Sequence, residues 1–343
     1  MQKKNKGIER TRRNFVFINR HLSSKNTLFY YFVFVLTVQG LTHYDNPNPS
    51  VVTIGTFDGV HIGHRKILEK VIADAHGMGL QSVLLTFFPH PRMVLQKDSD
   101  IKLLNTIEEK SEILESLGLD ALVVHPFTKD FSRMSATDFA RKILVEKLKV
   151  KKVIIGYDHR FGRNRNASIH DLRSFGNLLD FEVDEIPAQE IDAVSVSSTK
   201  IRKALAEGDL QTATAYLGYP YMLSGTVQKG KGLGRNLGFP TANLKITEAY
   251  KLIPANGVYV VKARIAEQRY YGMMNIGTNP TVDGSQQHIE VHFFDYDNDL
   301  YGQGLKVELL HRIRSEQKFD SLEDLKNQLV QDRSRALSLI QST

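Results

Sequence analysis

The chain has 343 residues, of which 41% are hydrophobic and 24% are charged, a composition typical of a folded protein with about two domains. It contains no cysteine, which excludes disulfide frameworks, thiolate zinc sites, iron–sulfur clusters and cysteine nucleophiles. The formal net charge of +7 points to a nucleic-acid partner only if the charge lies on the folded body.

The excess positive charge lies at the N terminus instead. Residues 1–25 carry eight basic side chains and one acidic side chain, whereas the rest of the chain carries 37 of each sign. A basic segment of this kind buries too little apolar surface to offset its ordering entropy, so we predict that residues 1–28 form a disordered leader. Because the body has no basic excess, we expect no nucleic-acid partner.

An apolar run at residues 28–38 follows the basic stretch, and together they resemble the start of a secretory signal peptide. The run is too short to cross a bilayer, and no small-residue cleavage site follows it. The alternative is that the first strand of the domain begins within 29–38, behind a leader that is a disordered tail or lies upstream of the natural start. We expect a cytoplasmic protein with no stable membrane association.

Short apolar runs then alternate with amphipathic helix patterns as far as residue 217. Strands are predicted at 51–55, 82–87, 121–127, 152–156 and 181–186. Helices are predicted near 64–77, over 106–117, after Ser135 and near 169–180, and two short helices are predicted near 199–217. Thr106 and Glu109 have the spacing of a capping box at the start of one of these helices. The alternation predicts an α/β domain over residues 29–218, with a parallel sheet covered on both faces.

Near residues 218–220 the pattern changes to closely spaced strands with glycine-rich turns. Five or six antiparallel strands without intervening helices indicate a small barrel. Residues 321–340 then have the apolar spacing of one long amphipathic helix. We therefore predict a second domain over residues 219–343.

The segment Gly55–Arg65 (GTFDGVHIGHR) lies where an apolar strand turns into a helix, the place at which α/β sheets bind ligands and helix amides attract phosphate. His61 and His64 can share one face of the first turn, and Gly63 lets a phosphate or nucleobase approach the backbone. Two imidazoles could donate hydrogen bonds to charge that develops on an α-phosphate. The alternatives are helix-capping histidines or half of a metal site.

A second motif, Ser197–Arg202 (SSTKIR), opens another predicted helix about 135 residues later. Its hydroxyls, amides and guanidinium could hold the β- and γ-phosphates of a nucleotide. Alone, such a segment is also an ordinary capped helix start. The two motifs together bracket a complete α/β domain, and this pairing favours a nucleotide site.

These motifs resemble the HxGH and SSTxIR signatures of the nucleotidylyltransferase superfamily, and in particular the FAD synthetase module of bacterial bifunctional riboflavin kinase/FAD synthetases. Residues 86–91 (TFFPHP) and 156–162 (GYDHRFG) are similar to that family's flavin- and ATP-proximal loops; otherwise they would be a strand end and a solvated basic loop. The resemblance implies a Rossmann-like domain that adenylates FMN with ATP. It assigns catalysis to His61 and His64, ATP and phosphate binding to Gly55, Phe57, Asp58, Gly63, Asp158, Ser197, Ser198, Thr199 and Arg202, and flavin contacts to Pro89, His90, Pro91 and Arg165.

The glycine-dense segment Gly230–Asn243 (GKGLGRNLGFPTAN) is unsuited to a strand interior and does not fit the phosphate loop GxxxxGK[ST]. Its backbone could drape amides over phosphates. Thr241 and Asn243 offer oxygen ligands on one side of an extended segment to a hard cation such as Mg²⁺. As a bare pattern, the segment also fits a glycine- and proline-rich hairpin.

This segment, GxxxGRxLGFPTAN, resembles the riboflavin kinase family, as do residues 275–281, 290–295, 300–302 and 312–314 in their order. Asn279 departs from the pattern, since many members have arginine there. The resemblance implies a six-stranded antiparallel barrel with a long C-terminal helix. It assigns the phosphate and flavin loops to Gly230, Gly232, Gly234 and Arg235, and the metal to Thr241 and Asn243.

Glu290 lies between Ile289 and Val291 on an apolar strand, where a carboxylate needs a partner or a use. It is the candidate base that takes the proton from the riboflavin 5'-hydroxyl as this attacks the γ-phosphate of ATP. The alternative is an outward-facing glutamate on an alternating strand.

The resemblance covers residues 36–341 and implies that riboflavin is phosphorylated to FMN and FMN is adenylated to FAD, with Mg²⁺ and two molecules of ATP. Two alternatives are an enzyme with one active site and a flavin- or nucleotide-binding regulatory protein without turnover. The intact histidines and Glu290 argue against both. The expected partners are small molecules, and the oligomeric state stays open.

Overall fold

The computed structural model describes residues 35–45, 48–96, 99–157, 160–163, 166–187, 196–230, 232–281 and 284–342. All of them belong to one compact unit, Val33–Thr343. The predicted leader at 1–28 lies outside the described residues, as do Asp158 and Arg165. Within the described ranges, no helix is both long and apolar enough to cross a membrane.

The first half of the chain forms the predicted parallel sheet, whose six strands lie in the order β1-β4-β3-β2-β5-β6. The strands are β1 (Leu36–Gln39), β2 (Ser50–Ile54), β3 (Gln81–Phe87), β4 (Ala121–His125), β5 (Val150–Gly156) and β6 (Glu182–Ile186). The first strand starts inside the range 29–38 that the apolar run predicted.

Helices cover both faces of this sheet. Successive strand residues point to opposite sides, and in β2 the residues on both sides are buried. Val51 enters a core cluster with α1 (Ile62–Met78) and α3 (Ile107–Leu117), whereas Val52 enters a second cluster on the other face. The capping box of Thr106 and Glu109 is present at the start of α3. The other helices described in this half, apart from a π-helix, are α2 (Pro91–Leu95), the 3-10 turn Phe131–Arg133, α4 (Ala136–Asp138), α5 (Ile169–Leu179), α6 (Ser198–Glu207) and α7 (Leu210–Leu217).

The helix predicted after Ser135 differs from an ordinary α-helix. Ser135 caps the single turn α4, and the chain continues as a π-helix over Phe139–Lys147. Its buried residues are Phe139, Ala140, Ile143 and Leu144. Pairs of apolar residues four apart fit both an α-helical and a wider π-helical turn, so the sequence pattern could not separate the two.

The second half forms a closed antiparallel barrel of six strands, in the order β10-β11-β8-β7-β12-β9. The strands are β7 (Met222–Gln228), β8 (Ala242–Lys245), β9 (Gly257–Ile265), β10 (Gln268–Thr281), β11 (Gly284–Phe293) and β12 (Gly304–Arg314). The predicted six-stranded barrel is confirmed. The glycine-rich segment contains the short helix α8 (Leu233–Asn236) and runs into the barrel's shortest strand, β8, at Ala242.

The long C-terminal helix α9 (Leu322–Gln341) packs against the outside of the barrel, as the amphipathic pattern predicted. Its Asp332 is buried and accepts hydrogen bonds from Arg314 of β12, with distances of 2.7–3.0 Å from Nε and Nη2. Gln328 also donates to Asp332, at 2.9 Å. Pairing and hydrogen bonding together are what a buried carboxylate needs, and here they fix the helix on the strand.

Two candidate sites

The first candidate site lies at the carboxyl end of β2, where the chain turns into α1. Strands β3 and β4 lie on one side of β2 and β5 lies on the other, so this is the switch point at which parallel sheets bind ligands. The turn has positive φ angles at Phe57, Gly59 and Val60, of 44°, 85° and 35°. Gly59 has no room for a side chain, because a Cβ there would lie 2.6 Å from Leu104 Cδ1.

His61 and His64 form a stacked pair at the start of α1. The backbone N–H of His64 donates to Nδ1 of His61 at 3.3 Å, and the ring centroids are 3.6 Å apart. Because Nδ1 of His61 is an acceptor, the neutral ring carries its proton on Nε2. His61 is therefore the helix cap that one alternative supposed, and the cap uses Nδ1 rather than the Nε2–H donor.

Both rings are neutral at pH 7 in this arrangement. Burial lowers the pKa of His61 to about 4, although the negative charge of Asp58 opposes the shift. Burial, followed by the charges of His61 and Lys110, lowers the pKa of His64 well below its usual value. Nδ1 of His64 is buried without a hydrogen-bond partner among the described residues.

The structure joins the two predicted nucleotide motifs directly. Asp58 is buried, and one of its carboxylate oxygens forms an ion pair with Arg202, 144 residues later. Its other oxygen accepts the backbone N–H of Leu104 at 2.9 Å. The Ser198 hydroxyl donates to the Asp58 backbone carbonyl at 2.9 Å. Asp58 therefore orients Arg202 and anchors the start of α6, while its own carboxylate is occupied within the protein.

The other residues of these motifs lie around this junction. Ser197 caps α6, since its hydroxyl accepts the backbone N–H of Lys200 at 3.3 Å, and Thr199 is exposed in the first turn. Gly55 follows β2, and Gly63 is buried in the first turn of α1.

The TFFPHP segment lies at the end of β3, in the loop that precedes α2. His90 caps α2 by accepting the backbone N–H of Arg92 at 3.1 Å, and Pro89 and Pro91 flank it. Burial lowers the pKa of His90 to about 4; the nearby charge of Asp58 opposes this, and that of Arg202 adds to it. His90 follows β3, the parallel neighbour of β2, so it lies at the same edge of the sheet as the HxGH turn.

Lys110 is a residue of this site that the sequence analysis did not single out. Its ammonium group donates to the backbone carbonyl of Thr56 at 2.7 Å, and the Thr86 hydroxyl donates to the same carbonyl at 3.1 Å. The side chain is buried, and burial lowers its pKa to about 8. Lys110 shares the apolar stripe of α3 with Ile113 and Leu114. A lysine within such a stripe was the signal that could have identified it.

The second candidate site lies on the outer face of the barrel. Along β11, Ile289 and Val291 are buried in the barrel core, and Glu290 between them points outward and is half-buried. Glu290 pairs across the ladder with Asn243 of β8 and with Asn275 of β10. The glutamate thus faces outward on an alternating strand, and it stands between two amide side chains.

The glycine-rich segment closes over this face. A Cβ at Gly230 would lie 2.1 Å from Nδ2 of Asn243, and a Cβ at Gly234 would lie 2.2 Å from the carbonyl of Phe239. Gly232 has a positive φ of 71°, and Arg235 is exposed on α8. Gly234 is therefore required by close approach to the backbone and Gly232 by its backbone conformation, whereas a Cβ at Gly230 would displace the Asn243 side chain.

A cleft of 360 Å³ opens beside this segment, at the end of the barrel. Its lining includes the predicted residues Arg235 and Thr241, together with Asp297, Asp299 and Tyr301. Asn243 and Glu290 lie next to the cleft on β8 and β11 without lining it. A larger concavity of 540 Å³ beside β6 contains none of the predicted site residues.

The described parts of the chain hold no cluster of three or more histidine, aspartate and glutamate side chains that could bind a metal ion. The half-metal-site alternative for His61 and His64 therefore finds no third ligand there. Thr241 and Asn243 offer a hydroxyl and an amide oxygen, which are donors of the hard type that Mg²⁺ prefers.

Two family models match this chain, one in each half. The model described as FAD synthetase matches residues 43–200, and the model described as riboflavin kinase matches residues 217–340. The first region contains strands β2 to β6 and the HxGH turn, and it ends at Lys200 within the second motif, two residues before Arg202. The second region contains the barrel with Glu290.

Curated relatives match across both halves under the name bifunctional riboflavin kinase/FMN adenylyltransferase. The protein of Listeria monocytogenes is 39% identical over 284 residues, covering 82% of this chain and 90% of the relative. The protein of Haemophilus influenzae is 37% identical over 292 residues, covering 85% and 94%. The protein of Escherichia coli K12 is 37% identical over 283 residues, covering 82% and 90%.

A solved structure shares the fold over most of the chain. It is described as a macrolide-efflux protein from Streptococcus pneumoniae, with a TM-score of 0.80 and 32% identity over 88% of this chain and 98% of that one.

Proposed function

The chain belongs to the family of bifunctional riboflavin kinase/FMN adenylyltransferases, and from this premise we propose which of its residues perform the two reactions. The chain phosphorylates riboflavin to FMN and adenylates FMN to FAD, with ATP as co-substrate of both steps. We assign the adenylyl transfer to residues 29–218 and the phosphorylation to residues 219–343.

In the adenylyl transfer, an oxygen of the FMN phosphate attacks the α-phosphorus of ATP, and the bond to pyrophosphate breaks. The attacking phosphate is already an anion at pH 7, so no general base is needed. His61 donates from Nε2, and with His64 it stabilises charge on the α-phosphate and on the leaving pyrophosphate. The observation that carries this assignment is the stacked pair, in which the cap fixes the His61 tautomer.

The β- and γ-phosphates bind at the start of α6, where Ser198, Thr199 and Arg202 lie. The ion pair with Asp58 supports this role, because it aims the guanidinium toward the HxGH turn. We propose that Asp58 acts by orienting Arg202. Gly55, Phe57 and Gly63 shape the turn, Ser197 caps the helix, and Asp158, Arg165, Pro89, His90 and Pro91 contact the nucleoside and the flavin.

In the phosphorylation, the riboflavin 5'-hydroxyl attacks the γ-phosphorus of ATP and ADP leaves. Glu290 accepts the hydroxyl proton, and its half-buried position between Asn243 and Asn275 supports this role. Gly230, Gly232, Gly234 and Arg235 cover the phosphates. Mg²⁺ would be held through Thr241 and Asn243, where it would neutralise phosphate charge.

We further propose a cytoplasmic location, because the chain has no cysteine and therefore depends on no disulfide that a reducing compartment would break. We propose no nucleic-acid partner, since the basic excess is confined to residues 1–25.

The test is to incubate the purified full-length protein with riboflavin, ATP and Mg²⁺ and to separate the flavins by chromatography. We expect FMN first and FAD later. If neither forms, the protein is not an enzyme of this pathway, and tight binding of flavin without turnover would favour a regulatory protein. If riboflavin is converted to FMN but no FAD forms, even from added FMN, only the kinase site is active.

A further inference from the structure

The segment Lys102–Leu104 lies between the two halves of the chain. On the barrel side, the backbone N–H of Leu103 donates to the carbonyl of Tyr250 at 2.7 Å, and the N–H of Leu252 donates to the carbonyl of Leu103 at 2.8 Å. The Lys102 ammonium group also donates to the carbonyl of Ala249, at 3.2 Å. We call Lys102–Leu104 the linking segment, since the barrel half holds it as it would hold an added strand.

Lys251 makes the most buried of these contacts. Its ammonium group donates to the Leu104 carbonyl at 2.7 Å and to Glu109 of α3 at 2.5 Å, and it lies 4.4 Å from the ring centroid of Tyr221. Both charged side chains are almost completely buried, at 0% and 1% exposure. A buried charge pair with this number of partners is held in one geometry, because any departure leaves a charge unpaired.

The opposite side of the linking segment contacts the adenylyltransferase site. The backbone N–H of Leu104 donates to Asp58 at 2.9 Å, and Nε of Arg202 donates to the carbonyl of Lys102 at 2.7 Å. Asp58 and Arg202 are also joined to each other by their ion pair. Asp58 and Lys251 therefore bind the same residue: Asp58 accepts the N–H of Leu104, and Lys251 donates to the carbonyl of Leu104.

We propose that Lys251, a residue of the kinase half, is a positioning residue for adenylyl transfer. It fixes the linking segment, the linking segment fixes Asp58 and Arg202, and Arg202 binds the β- and γ-phosphates of ATP. This inference rests on the proposed function of Arg202. It means that the kinase half supplies part of the support for the other half's site, within one chain.

The test replaces Lys251 by methionine in the full-length protein, because methionine keeps the length of the side chain and removes its charge. We expect the KM for ATP in the adenylation of added FMN to rise about tenfold, as for the loss of one charged hydrogen bond, with a smaller change in kcat. Riboflavin phosphorylation should keep its wild-type KM and kcat.

A double variant separates positioning from the cost of an unpaired carboxylate. Lys251→Met leaves Glu109 buried without its partner, and adding Glu109→Gln removes that charge. If the linking segment is the cause, the raised KM for ATP persists in the double variant while the melting temperature recovers. If both variants adenylate FMN with the wild-type KM, the inference is wrong.

Lys306→Met is the matched control. Lys306 also forms an ion pair between the halves, with Glu112, but both side chains are exposed and the pair does not include the linking segment. This variant should keep the KM for ATP in both reactions.

If Lys251→Met and its double variant lose both activities and also melt at a lower temperature, Lys251 only stabilises the fold and the inference fails. Wild-type protein that makes no FAD from FMN would refute the proposed function instead.

Discussion

The backbone N–H of His64 donates to the ring of His61, and the two imidazoles stack with their centroids 3.6 Å apart. One side chain thus caps the helix and also fixes its own proton on the nitrogen that faces away from the cap. The neutral, oriented N–H can donate a hydrogen bond to a charged phosphate oxygen, and His61 need not change its protonation state to do so.

The buried histidine makes the protein sensitive to acid. The folded-state pKa of His61, about 4, lies below the ordinary 6.5, so the unfolded chain binds a proton that the folded chain does not. The contribution of His61 to the free energy of unfolding is fully present above pH 6.5. It is lost as the pH falls toward 4, by up to about 3 kcal/mol at about 1.4 kcal/mol per pKa unit.

His61→Asn should remove this part of the acid sensitivity, because asparagine can cap the helix and does not titrate. Urea unfolding at pH 4 to 7 would measure it, with exposed His170→Asn as the control that keeps the wild-type slope. An unchanged slope in His61→Asn would mean that other groups cause the acid loss. The same variant should adenylate FMN slowly, because it lacks the Nε2 donor.

Glu290→Gln should reduce riboflavin phosphorylation by at least about 100-fold, since it removes the general base, and should leave the adenylation of added FMN unchanged. Rates of FMN and FAD formation, measured separately, check this. Glu308→Gln is the matched control, because Glu308 also faces outward on a barrel strand, where it pairs with Lys262. Equal losses in the two variants would argue against a catalytic role for Glu290.

Asp58→Asn should weaken both ATP binding at the adenylyltransferase site and the fold. Asparagine still accepts the Leu104 N–H but leaves Arg202 without its charge partner, which we expect to cost about 3 kcal/mol of unfolding free energy. The KM for ATP in FMN adenylation should rise, while riboflavin phosphorylation persists. A normal KM would show that Arg202 binds phosphate without help from Asp58, or does not bind it.

Lys110→Met should change how stability depends on alkaline pH. The folded-state pKa of Lys110 is about 8, below the ordinary 10.5, so the unfolded chain holds more protons between pH 8 and 10.5 and this group makes stability rise with pH there. The variant should lose that rise, as measured by urea unfolding across the range. Exposed Lys66→Met serves as the control, and a rise retained in Lys110→Met would contradict the assignment.

Asn243→Ala should raise the Mg²⁺ concentration needed for half-maximal riboflavin phosphorylation and leave that for FMN adenylation unchanged. The reason is the loss of one oxygen ligand in the kinase half alone. Titration of Mg²⁺ in each assay measures both values. Equal shifts in the two reactions would indicate that the substitution disturbs the fold, and no shift would remove Asn243 from the metal site.

The fold was predictable because its signals are local and repeated. The alternation of short apolar runs with helix patterns predicted the parallel sheet, and the capping box at Thr106 located the start of α3 to the residue. The π-helix at Phe139–Lys147 was not predictable, since its buried residues also fit an α-helical spacing.

The two sites were predictable as motifs but not as arrangements. The sequence placed Asp58 and Arg202 in separate segments, and only the fold shows that they form an ion pair. Lys251 carries no motif at all, and its contact with Leu104 depends on how the two halves pack. Pairings of this kind are fixed by tertiary structure, which local sequence patterns do not encode.

The strand edges limit how this protein can associate. The six strands of the barrel close on themselves, so backbone edges among the described residues remain at β1 and β6. The first has four residues, and the second presents carboxylates at Glu182, Asp184 and Glu185. Charged side chains on an edge strand disfavour the addition of another strand, and at β6 these carboxylates are held in ion pairs with Lys70, Lys152 and Arg173 of the same chain. Copies of this chain should therefore assemble, if they do, through side-chain surfaces rather than by extending a sheet.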